Sequence, residues 1–258
     1  GNRFGIFALR VAPIQIEYLG YLGTTGAPYI DYLIADHTLV PDNLQQHYSE
    51  KIIFLPTYQV NDSKSKSVSP TPSRSAFDLP EQAFVFCCFN SAYKINPPVF
   101  DSWCRILLAV ENSVLFLAAE SPQVEKNLRS EAQLRGVDSE RLVFSSRLPR
   151  PEFLARFKVA NLFLDTWPCN AGTTASEALW SGLPVLTLPG ESFASRMGAS
   201  LLNCIGVPEL IAASVVQYEA TAIRLANSPG EYTAVLSRVS EGAKSSSLFD
   251  CPTYTKSL

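Results

Sequence analysis

Apolar and polar positions alternate along this chain with two different periods, and the periods change register several times. Residues 84–89 form an unbroken apolar run, the pattern of a strand buried on both faces. From there strand-like and helix-like stretches alternate. Strands are predicted at 84–89, 114–118, 142–144, 162–165 and 184–188. Helices are predicted at 97–110, at 123–135 ended by Gly136, and at 151–157, 173–181, 193–204, 207–213 and 216–227. Such alternation implies βαβ units and a parallel sheet, so residues 82–235 are expected to be a Rossmann-like α/β domain. Upstream, 13–19, 29–35 and 52–56 read as strands, with a glycine turn at 20–26 and a helical pattern at 41–48 that opens near Asp42. Between the two regions, 61–81 is rich in Ser, Lys and Pro and lacks any apolar period, which marks a linker or surface loop. Residues 236–258 are left as a C-terminal segment.

Composition narrows the classes. Of 258 residues, 47% are hydrophobic and 17% charged, enough apolar surface for a large core. Twenty-one basic against 24 acidic residues, with no long basic run, argue against a general nucleic-acid binder. No apolar stretch approaches the roughly 18–20 residues that span a bilayer, so no membrane partner is expected and a cytoplasmic protein is the default. Six cysteines form no CxxC pair and only His37 and His47 are present, so no metal site is expected. The opening Gly-Asn-Arg-Phe-Gly runs straight into an apolar segment, and the chain is read as a piece of a longer one.

Ligands of doubly wound sheets bind beyond the carboxyl ends of the strands, and three such ends carry suggestive chemistry. The first is 162–177, where Gly172, Thr173 and Thr174 open a helix after a strand ending near Asp165. Small residues and free N–H groups at a helix start suit an anion, and Glu177 lies a turn further in, placed for ribose hydroxyls. An ordinary capped helix, with Thr as cap and Glu closing a capping box, fits the same residues. The second is 88–97, where Lys94 offers a compact cation for a diphosphate, or is simply a solvated loop lysine. The third is 145–156, where a base could lie against main chain near Leu148 with Arg150 or Arg156 beside it. A loop followed by an amphipathic helix is the plain alternative.

Taken together, these segments resemble the C-terminal catalytic region of the protein O-linked N-acetylglucosamine transferases, glycosyltransferase family 41. The resemblance is carried in order by FALRVAPIQ (7–15), GYLGTTG (20–26), FNSAYKI (89–95), LDT (164–166), NAGTT (170–174) and PGESFASR (189–196). It implies a GT-B fold in which residues 1–60 end the first Rossmann-like domain and 82–235 form most of the donor-binding one. It further implies UDP-GlcNAc as donor substrate, no cofactor, protein or peptide Ser/Thr hydroxyls as acceptor, and inverting, metal-independent transfer. By the same resemblance Lys94 contacts the diphosphate and serves catalysis. Thr173 and Thr174 hold phosphate, Glu177 the ribose, and Cys169 and Thr24 the sugar side. Gly172 stands where animal enzymes have His, Ser91 where they have a longer amide, and Phe153 where a His packs on uracil. The family's catalytic histidine motif and tetratricopeptide repeats are expected upstream of residue 1, and neither His37 nor His47 matches a catalytic position. A non-catalytic UDP-sugar-binding module, a related GT-B glucosyltransferase and a UDP-sugar epimerase are the competing readings.

Overall fold

The structure, a computed structural model, describes residues 3–61, 67–118 and 121–258. Three short strands, β1 (Ile16–Glu17), β2 (Tyr32–Ala35) and β3 (Lys51–Phe54), pair in parallel in that order. They are shorter than the apolar pattern suggested; Pro13 before β1 and Pro56 after β3 lack the N–H that a ladder requires. The stretch at 41–48 is a 3-10 turn over Asp42–His47, with Asp42 its first residue and Pro41 in the cap position.

The second sheet has five parallel strands, β4 (Phe84–Cys88), β5 (Ser113–Ala118), β6 (Leu142–Ser145), β7 (Leu162–Leu164) and β8 (Val185–Leu186). Their spatial order is β6-β5-β4-β7-β8. Chain order therefore reverses between β4 and β7, which pair through Phe86 with Leu162 and Cys87 with Phe163. Val85, Phe86, Leu115, Phe116, Leu162 and Phe163 are almost fully buried, as the continuous apolar runs required. Each such side chain contributes roughly 1.5–3 kcal/mol. Helices α1 (Pro97–Ala109), α2 (Pro122–Leu134), α3 (Arg150–Arg156), α4 (Thr173–Trp180), α5 (Met197–Cys204), α6 (Val215–Asn227), α7 (Pro229–Ser245) and α8 (Cys251–Ser257) surround the two sheets. Helix starts follow their local chemistry: Asn96, Ser121 and Ser214 each accept a backbone N–H from the first turn of α1, α2 and α6.

Three expectations need correction. Residues 207–213 are not a helix: a single turn over Pro208–Leu210 leads to Ile211, which bridges Thr187 in parallel and extends the sheet past β8. Pro208 supplies no N–H, and β-branched Val207 and Ile211 suit an extended edge better than a helix. The boundary expected at 235–236 falls inside α7, whose Val235 and Val239 are both buried in one core. Within 61–81, residues 62–66 lie outside the described residues, but Val68, Phe77 and Leu79 pack on the second core and Arg74 ties the segment down. Its guanidinium donates to the carbonyls of Val159, Glu81 and Ala83.

The two sheets are joined by buried polar contacts. Asp36, just past β2, accepts from Thr38 N and Leu39 N at 2.9 Å each, Tyr58 N at 3.1 Å and Ser200 Oγ of α5 at 2.5 Å. Helix α8 returns to the first sheet, where the Tyr254 hydroxyl donates to Tyr18 Oη (2.6 Å) and packs in the core that holds Leu33, Tyr58 and Phe193.

Candidate functional site

The reversal of strand order between β4 and β7 opens the crevice where parallel sheets bind ligands, and its two rims are the loops after those strands. On the β4 rim Lys94 lies at the end of a turn over Ala92–Lys94, and its Nζ donates to the Asn170 carbonyl of the β7 rim at 2.9 Å. The β7 rim is folded tightly around Asp165. Its Oδ1 accepts from Thr166 N (2.8 Å) and Ala171 N (2.7 Å), and its Oδ2 from Thr187 Oγ1 (2.7 Å). Burial pushes the Asp165 carboxyl up to about 6, against these hydrogen bonds and the nearby Lys94 charge, which act to lower it.

Helix α4 follows directly. Its N-cap is Gly172, and among the described residues no side chain caps it. The capping-box alternative is therefore not what the chain does: Thr173 is the first helical residue rather than the cap, and Glu177 turns elsewhere. At this start Thr173 is exposed and Gly172 and Thr174 are half-buried, and Gly172 comes two residues after Asn170, whose carbonyl holds Lys94. A helix start leaves N–H groups unsatisfied, with the dipole behind them. A Cβ on Gly172 would sit 3.2 Å from Met197 Cε and 3.3 Å from Gln59 Oε1, so a larger residue fits only if those side chains give way.

Glu177 is 2% exposed and forms an ion pair with Arg150, the first residue of α3. That pair ties the start of α3, which follows β6, to α4, two segments that the spacing alone had kept separate. Beside it lies a cavity of about 410 Å³ lined by Phe89, Ser91, Ser146, Leu148, Phe153 and Arg156. Arg156 is 2% exposed and sandwiched, its guanidinium 3.7 Å from the Phe89 ring centre and 4.7 Å from that of Phe153. Its Nε has no hydrogen-bond partner among the described residues, and burial lowers the guanidinium pKa to about 10. The cavity presents a flat aromatic wall, a buried cation and the main chain of 146–148, a set suited to a planar base with carbonyl oxygens.

The sequence offered Arg150 or Arg156 beside the base without choosing; the structure puts Arg156 in the cavity wall and Arg150 on Glu177. The usable signal for Arg156 is its spacing of three from Phe153, which puts both on one helix face. Cys169 is half-buried on the β7 rim, where its carbonyl accepts from Thr166 Oγ1 at 2.8 Å. Thr24 lies in the segment between β1 and β2. Its hydroxyl donates to Glu50 Oε2 at 2.7 Å and faces Ser49, at the edge where β3 begins. His37 stacks on Phe54 with ring centres 4.0 Å apart and is largely exposed. Among the described residues no cluster of three His, Cys, Asp or Glu side chains is placed to hold a metal.

Comparison with known proteins adds an independent line. A family model described as glycosyl transferase family 41 matches residues 1–67 and 61–258. A probable UDP-N-acetylglucosamine--peptide N-acetylglucosaminyltransferase SEC of Arabidopsis thaliana is 38% identical, aligned over all of this chain and 27% of its own length. A UDP-N-acetylglucosamine--peptide N-acetylglucosaminyltransferase of Caenorhabditis elegans is 28% identical over 98% of this chain and 32% of its own. The chain thus spans about a quarter to a third of these curated relatives. Among solved structures, a Thermobaculum terrenum O-GlcNAc transferase mutant superposes with a TM-score of 0.88 at 32% identity, covering 99% of this chain and 48% of that one. The sucrose-phosphate synthase of Thermosynechococcus elongatus shares the fold alone, with a TM-score of 0.62 at 14% identity, over 83% of this chain and 54% of its own. The α/β architecture is accordingly of the GT-B type, as the motif order implied.

Proposed function

The chain belongs to glycosyl transferase family 41, and from that premise we propose that it is the donor-binding part of a protein O-GlcNAc transferase. In this reading UDP-GlcNAc lies in the crevice between β4 and β7. Uracil enters the cavity against Phe153, Arg156 and the Leu148 main chain, with Ser91 at its mouth. The ribose hydroxyls meet Glu177, which is held in place by Arg150. The diphosphate meets Lys94 and the open N–H groups of Gly172, Thr173 and Thr174, and Cys169 flanks the sugar. The observation that carries the reading is Lys94 Nζ poised 2.9 Å from the Asn170 carbonyl, next to the uncapped start of α4.

Transfer is read as inverting. A Ser or Thr hydroxyl of a protein acceptor attacks the anomeric carbon from the face opposite UDP. The bond from that carbon to the β-phosphate oxygen breaks, and UDP departs with the electron pair. Lys94 and the α4 dipole stabilise the developing charge on UDP as fixed groups that need no reorganisation, so no metal is assigned a role. Losing one such group is expected to cost on the order of 10²–10³ in rate. The base that takes the acceptor proton is assigned to a region outside this chain, together with the tetratricopeptide repeats.

Donor choice is the open branch of the reading. Calorimetry of the full-length protein with UDP-GlcNAc, UDP-glucose and UDP, followed by mass spectrometry of a Ser/Thr peptide after incubation with each sugar nucleotide, tests it. Preferential binding and transfer of GlcNAc is the expected result. Transfer of glucose alone would replace this reading with a glucosyltransferase, and binding without transfer would leave a UDP-sugar-binding module.

A further inference from the structure

Asp165 is fully buried beneath the crevice, touches no candidate ligand group directly, and carries more hydrogen bonds than a strand end requires. Both backbone donors on its Oδ1 belong to its own loop, Thr166 N and Ala171 N, so the carboxylate closes residues 165–171 into a ring. The ring is braced from outside. Asn90 Nδ2 of the β4 rim reaches Thr166 Oγ1 at 2.9 Å, and Asn170 Nδ2 donates to the Thr166 carbonyl at 2.7 Å. Tyr218 of α6 donates to the Asp165 carbonyl at 3.0 Å. Two groups of the diphosphate site hang on this ring: the Asn170 carbonyl that holds Lys94, and Gly172, which follows Ala171 and starts α4.

We propose that Asp165 is the positioning residue of the diphosphate site, setting Lys94 and the α4 N–H groups at the spacing a diphosphate needs. The inference rests on the diphosphate reading of that site. Geometry says which oxygen does the work. Oδ1 holds the ring, while Oδ2 accepts from the Thr187 hydroxyl, which can accept as readily as donate. A neutral side chain that keeps Oδ1 therefore preserves the ring, and one that lacks it frees two buried N–H groups. Asp165 is also a buried negative charge beside an anion site, so neutralising it with the ring intact favours anion binding. Lys94 from the β4 rim, the Cys88 thiol of β4 and the Tyr218 phenol of α6 are the ionisable groups that face it. Burial holds that thiol and that phenol neutral well above the mildly acid range.

The test uses UDP-GlcNAc, whose phosphodiesters keep their charge in mildly acid solution, bound to the full-length protein by calorimetry at several pH values. Asp165→Asn is expected to bind within about threefold of wild type at pH 7, and Asp165→Ala at least about tenfold more weakly. Wild type is expected to bind more tightly as pH falls through about 6, and Asp165→Asn to lose that dependence. Because Glu177 is present in both proteins, the difference isolates Asp165. Equal binding by Asp165→Ala, or the same pH profile in wild type and Asp165→Asn, overturns the proposal. Where Asp165→Ala fails to fold, the pH comparison decides alone. Lys94→Ala is the separate arm: if it leaves UDP-GlcNAc affinity unchanged, the diphosphate reading itself fails.

Discussion

Replacing Gly198 by Ala tests the packing beneath the proposed donor site. Gly198 is the second residue of α5, and a Cβ there would lie 2.4 Å from Thr187 Oγ1, 2.7 Å from Asp165 Oδ2 and 2.8 Å from Thr187 Cβ. Both neighbours are 0% exposed, and they are bonded to each other at 2.7 Å, so neither can swing aside. Overpacking of a close-packed core costs about 1–3 kcal/mol, against about 0.5–1 kcal/mol gained by replacing Gly within a helix. The net expectation is a loss of up to about 2 kcal/mol, or up to roughly 8 °C in thermal midpoint for a chain of this size. Gly230→Ala is the control. It also lies in a helix, but its Cβ would meet nothing within 4 Å, so its midpoint should hold or rise slightly. Differential scanning calorimetry compares the two, and UDP titration should show weaker binding only for Gly198→Ala. If the two variants melt together and bind UDP equally, the close approach of α5 to Asp165 is not what the geometry says.

Arg156→Met should separate stability from binding. Removing a buried cation that has an unpartnered Nε should hold or raise the thermal midpoint, while UDP affinity falls about tenfold or more. Midpoint and affinity falling together would make Arg156 a packing residue only. Glu50 should show a pH-linked effect. Burial acts to raise its pKa, but bonds from Thr25 and Thr24 outweigh it and the net shift is downward. A depressed carboxyl stabilises the fold above its unfolded pKa and stops doing so as pH falls through its folded value. The stability gap between wild type and Glu50→Ala, measured by urea unfolding, should therefore be large at pH 7 and narrow as pH falls below the usual carboxylate range.

How much of this was legible in the sequence follows from the range of the forces involved. The unbroken run at β4 and the Gly-Thr-Thr start of α4 are local signals, and both elements stand close to where pattern and spacing put them. Lys94 was legible because it follows a buried strand at a fixed offset. Asp165 was read only as the end of a strand, since its task depends on Ala171 folding back and on Thr187 arriving from β8. The Arg150–Glu177 pair likewise joins two helices distant in sequence. At 207–213 a local apolar period suggested a helix, and sheet extension at Ile211 overrode it. Thr24 was named through the family resemblance alone, and its hydrogen bond to Glu50 joins segments about 25 residues apart, which local spacing does not show.

The central claim is that Lys94 and the start of α4 form a uridine diphosphate site. Its most direct test is a calorimetric titration of UDP into the full-length protein and into Lys94→Ala. Loss of a charge-assisted contact to the diphosphate should weaken binding about ten- to hundredfold with the thermal midpoint of the unliganded protein nearly unchanged. UDP binding with the same affinity to both proteins, or no UDP binding by the folded wild type, would contradict it.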